Sequence, residues 1–290
     1  MTHLHRSENL HVGVGLRHQH IAEALNTPAA IDFVEVHSEN FFAKGGALHH
    51  LIQDIAETYP VSLHSTAMGL GSAIGIPDSY LHQLNHLANV VNPFMMSDHA
   101  AFAWGEVSGL PVHGGDLLPL VYNQQNLMVM IQHVDQIQQK LGRQILVENL
   151  SAYLDLPNST MSEQEFLIEL RNVTGCGLLI DLNNILVNAY NDGATDILKT
   201  GREWLDIIPR DSVGEIHLAG FTTPSDQALA IDDHSQPVSH LGWGLYIHAI
   251  RRFGPVPTLI EWDNQLPNWS VLVDQAIQAR SLAQEVLGSA

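Results

Sequence analysis

The sequence predicts an α/β protein built as a (β/α)8 TIM barrel. Three observations carry this. Eight short runs rich in β-branched residues recur along the chain, helical stretches separate most of them, and the ionisable residues of the runs share one face near the C-terminal ends. A doubly wound open sheet is the alternative, but the first run lacks the G-x-G-x-x-G turn of that fold.

The runs are, in order, His11–Arg17, Asp32–Glu39, Val61–Ala67, Met95–Phe102, Gln144–Ser151, Gly177–Asn184, Val213–Phe221 and Pro257–Asp263. Ala47–Tyr59 follows the second as a helix. Asp78–Val91 follows the third, with Pro77 just before it, and Tyr122–Leu141 follows the fourth. After the fifth, Ser162-Glu163-Gln164-Glu165 is a capping box that opens a helix running to Val173. Ala194–Ile208 follows the sixth, Leu241–Phe253 the seventh and Trp269–Leu287 the last.

Alternate strand residues face the barrel axis and the surrounding helices. Val12, Val14 and Leu16 oppose Gly13, Gly15 and Arg17; Val34 and Val36 oppose Glu35, His37 and Glu39; Leu63 opposes Ser62 and His64. Val147 opposes Glu148, Ile180 opposes Asp181, Ile216 and Leu218 oppose Glu215 and His217, and Ile260 and Trp262 oppose Glu261. An inner face bearing so many carboxylates needs compensation, because unpaired buried charge is too costly. Metal ions are the simplest compensation.

Composition agrees. The 290 residues carry no linker or low-complexity run and read as a single domain over 1–290. Apolar residues make up 45% and charged residues 15%, which suits a folded chain and not a disordered one. No run approaches the ~20 apolar residues of a membrane helix, so no membrane partner is expected. Met1 to Asn9 is polar and lacks the apolar stretch of a secretory signal. Cys176 is the single cysteine, which excludes an internal disulfide and any Cys-rich metal site; a cytoplasmic location is expected. The net charge of −19 repels phosphate backbones, so no nucleic-acid partner is expected. The 18 histidines outnumber the 12 Lys and Arg, and histidine is the commonest metal ligand.

Read in chain order, the late-strand donors are His64, His99, Glu148, Asp181, His217 and Glu261, joined by Asp232 and His234 from the loop after the seventh run and by Asn184, three past Asp181. Imidazole and carboxylate without sulfur suit zinc, manganese or iron. These are more donors than the roughly four to six that one ion takes. Two or three ions sharing a bridging carboxylate would use them, and Glu148, mid-order, is the natural bridge.

Other residues carry weaker signals. His37, Glu39 and Asn40 either touch a substrate, brace the ligands from behind, or are structural. Arg17 faces the mouth, to bind an anionic substrate group or to pair with nearby carboxylates. His82 and His86 are four apart on a helix and read as a solvated face, as do His49, His50, His133 and His248. Cys176 reads as a small buried residue. The stretch Trp104–Pro119 is too long for a simple turn and reads as a lid or docking loop, with His113 and Asp116 as outlying site candidates.

At these residues a family becomes recognisable. Val14-Gly15-Leu16-Arg17, Glu35-Val36-His37-Ser38-Glu39-Asn40-Phe41-Phe42, Leu63-His64-Ser65, Ser97-Asp98-His99, Val147-Glu148-Asn149, Asp181-Leu182-Asn183-Asn184, Glu215-Ile216-His217-Leu218-Ala219-Gly220 and Ile260-Glu261-Trp262-Asp263 resemble the multinuclear non-heme iron-dependent oxidative enzymes. That family includes the methanobactin biosynthesis iron enzyme. The resemblance covers nearly the whole chain. It implies two or three irons and oxygen-dependent modification of a ribosomally made precursor peptide, commonly at cysteine, with a small partner protein that presents the peptide. A wider resemblance, to the xylose isomerase-like barrels and their trinuclear zinc endonucleases, implies the ligand order His, His, Glu, Asp, His, His, Asp, His, Glu. One position departs: Asn184 stands where that order has its third His. The implied assignment gives His64, His99 and Glu148 one iron, Glu148, Asp181, His217 and Glu261 a second, and Asn184, Asp232 and His234 the third.

Three rival readings are open. A metal-dependent phosphoesterase needs a basic groove, which the charge disfavours. A divalent-metal sugar isomerase or epimerase would use fewer ions. A metal-stabilised binding module would have a closed, fully coordinated site.

Overall fold

The computed structural model describes residues 9–154, 156–222 and 229–289. Its strands are β1 (Val12–Gly15), β2 (Phe33–His37), β3 (Val61–His64), β4 (Met95–His99), β5 (Ala101–Val107), β6 (Leu110–Pro119), β7 (Leu146–Glu148), β8 (Gly177–Asp181), β9 (Val213–Leu218) and β10 (Thr258–Ile260). Its α-helices are α1 (Ile21–Asn26), α2 (Gly46–Thr58), α3 (Asp78–Val91), α4 (Gln124–Leu141), α5 (Glu163–Thr174), α6 (Leu182–Asn191), α7 (Ile197–Ile207), α8 (His240–Phe253) and α9 (Trp269–Gly288). The main sheet is a closed barrel in the order β1-β10-β9-β8-β7-β4-β3-β2, as the eight runs predict. By internal contacts the chain falls into two compact units. Among the described residues, one holds Val36–Leu150 and Leu154–Leu178; the other holds those from Asn9 to Glu35, Ser151–Tyr153 and those from Leu179 onward.

Every barrel strand lies inside a predicted run and stops short of its end. The sheet pairs only part of each run, such as Gly177–Asp181 of the sixth, whose residues are all buried. Beyond it the chain turns outward. Asp181 shows how: its Oδ1 accepts from the backbone N–H of Asn184 at 2.6 Å and caps α6. Part of the sixth run is therefore the start of a helix, and the helix expected over Ala194–Ile208 is the shorter α7, capped by Asp196.

In the first unit, β3 pairs β4 with His64 opposite Ser97, and β4 pairs β7 with His99 opposite Glu148. The capping box at Ser162 and Glu165 forms as predicted. The stretch expected as a lid loop is instead the antiparallel hairpin β5–β6, with a register shift between Phe102 and Trp104. His133 is also corrected: it lies buried, its Nδ1 2.8 Å from the Leu70 carbonyl, because α4 turns it onto the loop after β3.

In the second unit, β1 pairs β2 with Gly15 opposite Glu35, and β10 pairs β9 with Leu259 opposite His217. Gly13 makes room for the Phe33 ring: a Cβ there would lie 2.8 Å from two of its ring carbons. Among the described residues no helix is long and apolar enough to cross a membrane.

Cys176 is buried, and burial pushes its thiol up to about 11. The folded state thus favours the protonated thiol. Its contribution to stability is complete below the unfolded pKa and is lost as pH rises through about 11. Native protein at pH 8 is expected to leave a disulfide reagent unreacted, and denatured protein to titrate one thiol per chain. Rapid labelling of the native chain would contradict this.

Candidate metal centre

Two sets of donors form, one in each unit, from strand C-termini and, in the second, from the loop after β9 as well. In the first unit, His64 ends β3, His99 ends β4 and Glu148 ends β7. All three are buried, and their ligand atoms lie within 4.8 Å of one another. His64 Nε2 is 3.5 Å and His99 Nε2 3.3 Å from the same Glu148 oxygen, Oε2. The far nitrogen of His64, Nδ1, is 2.8 Å from Ser97 Oγ, which fixes the ring so that Nε2 faces inward. Asp98 braces the same strand end, accepting from Met68 N–H through Oδ2. Burial pushes the Asp98 carboxyl up to about 6 despite the opposing pull of His99.

Glu39 stands behind this set. Its Oε1 accepts from Thr66 N–H at 3.0 Å, Ala67 N–H at 2.9 Å and Tyr80 Oη at 2.5 Å, so it ties down the loop that leaves His64. His37 is half-buried, its ring centroid 6.1 Å from that of His64. Asn40 is exposed on the short 3-10 turn Ser38–Phe41. His113 and Asp116 are not with the donors. His113 packs edge-on to Trp104 within the hairpin and accepts from Gly115 N–H, and Asp116 accepts from Leu117 N–H. On the helix surfaces, His49 stacks on His86 at 6.2 Å, and His248 pairs with Asp206.

In the second unit, buried Asp181, His234 and Glu261 form one convergent group, and Glu35, His217 and Glu261 another. Glu261 Oε2 is shared between them, 3.0 Å from His217 Nδ1 and 3.5 Å from His234 Nδ1. Asp232 Oδ1 approaches His234 Nε2 at 2.8 Å, and Asn183 Nδ2 donates to the same oxygen at 2.6 Å. Asn184 is buried beside it, with its backbone N–H on Asp181.

Burial is the largest influence on the donors of this unit, with neighbouring charges acting against or beside it. Burial raises Asp181, while His234 opposes. Burial and then Glu35 raise Glu215. Burial and Asp263 push Glu261 up, but His234 and His217 outweigh them and hold it below the ordinary carboxylate range. Burial would lower both imidazoles; Glu35 and Glu261 raise His217, and Asp232 and Glu261 raise His234, well above the usual value. Arg17 pairs through Nη2 with Glu261 at 3.1 Å and Asp263 at 2.6 Å, so the structure gives it carboxylate partners inside the protein.

Some of the groups that meet here are absent from the ligand set read off the sequence. Glu35 and Glu215 lie fully buried on the far side of His217, their oxygens 3.6 and 3.8 Å from Nε2. Their place on the axis face is legible from strand alternation; their approach to His217 is not. Asp263 follows Glu261 by two and binds both Arg17 and His234. Asn183 reaches Asp232 because of how α6 starts.

Nitrogen and carboxylate donors buried this closely are chemically suited to divalent metal ions, which would neutralise charge that the protein otherwise leaves crowded.

The fold is that of the xylose isomerase-like TIM barrels. A xylose isomerase domain containing protein from Salmonella typhimurium superposes with a TM-score of 0.59 at 14% identity, over 96% of this chain and 99% of that one. Endonuclease IV from Thermus thermophilus does so with a TM-score of 0.58 at 14% identity, over 95% and 99%. Residues 11–284 match the RiPP precursor modification enzyme family MbnB/TglH/ChrH, and the chain belongs to that family. A UPF0276 protein of Chromobacterium violaceum is 41% identical over 279 residues, 96% of this chain and 95% of the relative. Another, of Acaryochloris marina, is 42% identical over 267 residues, 92% of each chain. This is the family that the motifs resemble.

Proposed function

We propose that this chain is an iron-dependent oxidative enzyme that modifies a ribosomally made precursor peptide at cysteine with O2, the peptide being presented by a small partner protein. The observation that carries the reading is the pair of buried imidazole–carboxylate sets in a chain that matches a family of peptide-modifying enzymes from residue 11 to residue 284.

In this reading His64, His99 and Glu148 hold one ion. Asp181, His217 and Glu261 hold a second. Asp232 and His234, with the Asn184 amide, hold a third. Asn184 is a weaker donor than the imidazole it replaces in the ligand order, so the third ion is the most weakly held. Bound iron supplies the redox chemistry that no side chain of the protein can. The protein's own part is to hold its carboxylates and imidazoles oriented, and to keep water from the reacting thiol. No cysteine of the chain is needed, because Cys176 is buried and protonated.

The test is metal content with optical spectroscopy. Protein loaded anaerobically with iron(II) is expected to hold two or more irons per chain. After limited oxidation, a cysteine-bearing peptide is expected to produce a visible charge-transfer band that a serine analogue does not. Zinc as the ion retained in preference to iron favours the phosphoesterase reading, and manganese or magnesium the isomerase reading. Absence of the thiol-dependent band in iron-loaded protein overturns the oxidative one.

A further inference from the structure

We infer that Asp263 is a positioning residue that decides which ring nitrogen of His234 faces the metal. The inference rests on the reading above, in which His234 is a ligand.

Four contacts converge on Asp263. Its Oδ1 takes the Arg17 guanidinium, with Nε at 2.7 Å and Nη2 at 2.6 Å. Its Oδ2 lies 2.9 Å from His234 Nδ1. Its backbone N–H donates to the His234 carbonyl at 2.9 Å. The next residue, Asn264, donates its backbone N–H to the same carbonyl at 3.3 Å and its side-chain amide to the Asp233 carbonyl at 2.7 Å.

His234 needs such support. Its φ is +42°, in the left-handed region that a residue with a Cβ rarely occupies, so its backbone is held there by its surroundings. The segment after β10 grips both its main chain and its ring.

The ring contact has a chemical consequence. A carboxylate only accepts, so Nδ1 must carry the proton that Oδ2 receives. A neutral imidazole protonated at Nδ1 has its lone pair at Nε2. That atom faces Asp232 Oδ1 at 2.8 Å and Asp181 Oδ2 at 4.0 Å, where the ion would lie. Glu261 Oε2, 3.5 Å from Nδ1, acts in the same sense. Arg17 completes the device. By occupying Oδ1 it leaves Oδ2 for the imidazole.

Asparagine at this position discriminates positioning from bulk support, because it keeps the size but has one acceptor for two donors. The charged guanidinium competes better for that oxygen. The amide NH2 then faces Nδ1 and demands its lone pair, which drives the proton to Nε2 and blocks the ligand atom. Partners behind a metal-bound histidine are worth roughly 10- to 100-fold in affinity.

The experiment uses the full-length chain, wild type, Asp263→Asn and Asp263→Ala. Zinc(II) is titrated as a diamagnetic probe, and ring nitrogens are followed by 15N NMR on histidine-labelled protein, with His234 assigned from His234→Ala. Wild type is expected to show His234 protonated at Nδ1 and zinc-bound at Nε2. Asp263→Asn is expected to lose this zinc-bound, Nδ1-protonated signature and to weaken the most weakly held zinc at least about tenfold, as much as Asp263→Ala or more. A Nδ1-protonated ring with zinc affinity within twofold of wild type in Asp263→Asn overturns the inference. So does outright loss of one zinc with the His234 ring unchanged, since Asp263 would then be a ligand itself. If Asp263→Ala does not fold, the isosteric variant decides alone. Wild-type protein that binds no metal defeats the metal-centre reading, an outcome distinct from both.

Discussion

Glu148→Gln is expected to remove at least one iron per chain and to reduce peptide modification to background. The carboxylate is buried, and its Oε2 is the shared focus of His64 and His99, at 3.5 and 3.3 Å. An amide keeps the shape but surrenders the negative charge and one acceptor oxygen, leaving the two imidazoles without an anionic co-ligand. A sign reversal distinguishes this from general damage. Without metal, the variant loses a buried charge and should be as stable as wild type or more so. With metal, wild type gains stability in proportion to ligand binding, and the variant gains less. Thermal melting with and without iron(II) reads both signs. Wild-type iron content in Glu148→Gln would remove Glu148 from the ligand set.

Gly220→Ala is expected to be the most damaging single-methyl change in the second unit, at about 3 kcal/mol, a melting temperature roughly 10 °C lower. Gly220 follows β9, and a Cβ there would lie 2.1 Å from the Pro237 carbonyl oxygen and 2.5 Å from that of Gln236. These are backbone atoms and cannot rotate away. The chain from His234 to Pro237 must shift instead, so the loss of stability should come with weakened binding of the ion assigned to Asp232 and His234. Equal melting temperatures for variant and wild type would show that the approach of this loop is looser than the structure has it. By comparison, a Cβ at Gly105 meets nothing within 4 Å, and Gly105→Ala is the matched control.

Much of the fold is legible in the sequence because the barrel repeats a single rule. A strand buried on both faces must be apolar in its middle, and the helix after it must announce itself with a cap, as Ser162 and Glu165 do. Length and punctuation are harder to read. The β-branched runs extend past the strand ends, so that Asp181, which serves as a helix cap, and the first turn of α6 look like strand. The β5–β6 hairpin is hidden because the four glycines within Trp104–Pro119 look like a loop.

The sequence by itself determined the eight-fold alternation, the acidic surplus and the run of imidazole and carboxylate residues at strand ends, since these follow from residue type and spacing. Tertiary structure decided which atoms meet. Only there does Asp263, unremarkable in the chain, take Arg17 with one oxygen and His234 with the other. Only there do Glu35 and Glu215 close on the far nitrogen of His217. The physical reason is that alternation fixes the face a side chain occupies, whereas the hydrogen bonds of a ring depend on neighbours from strands distant in sequence, which no local pattern encodes.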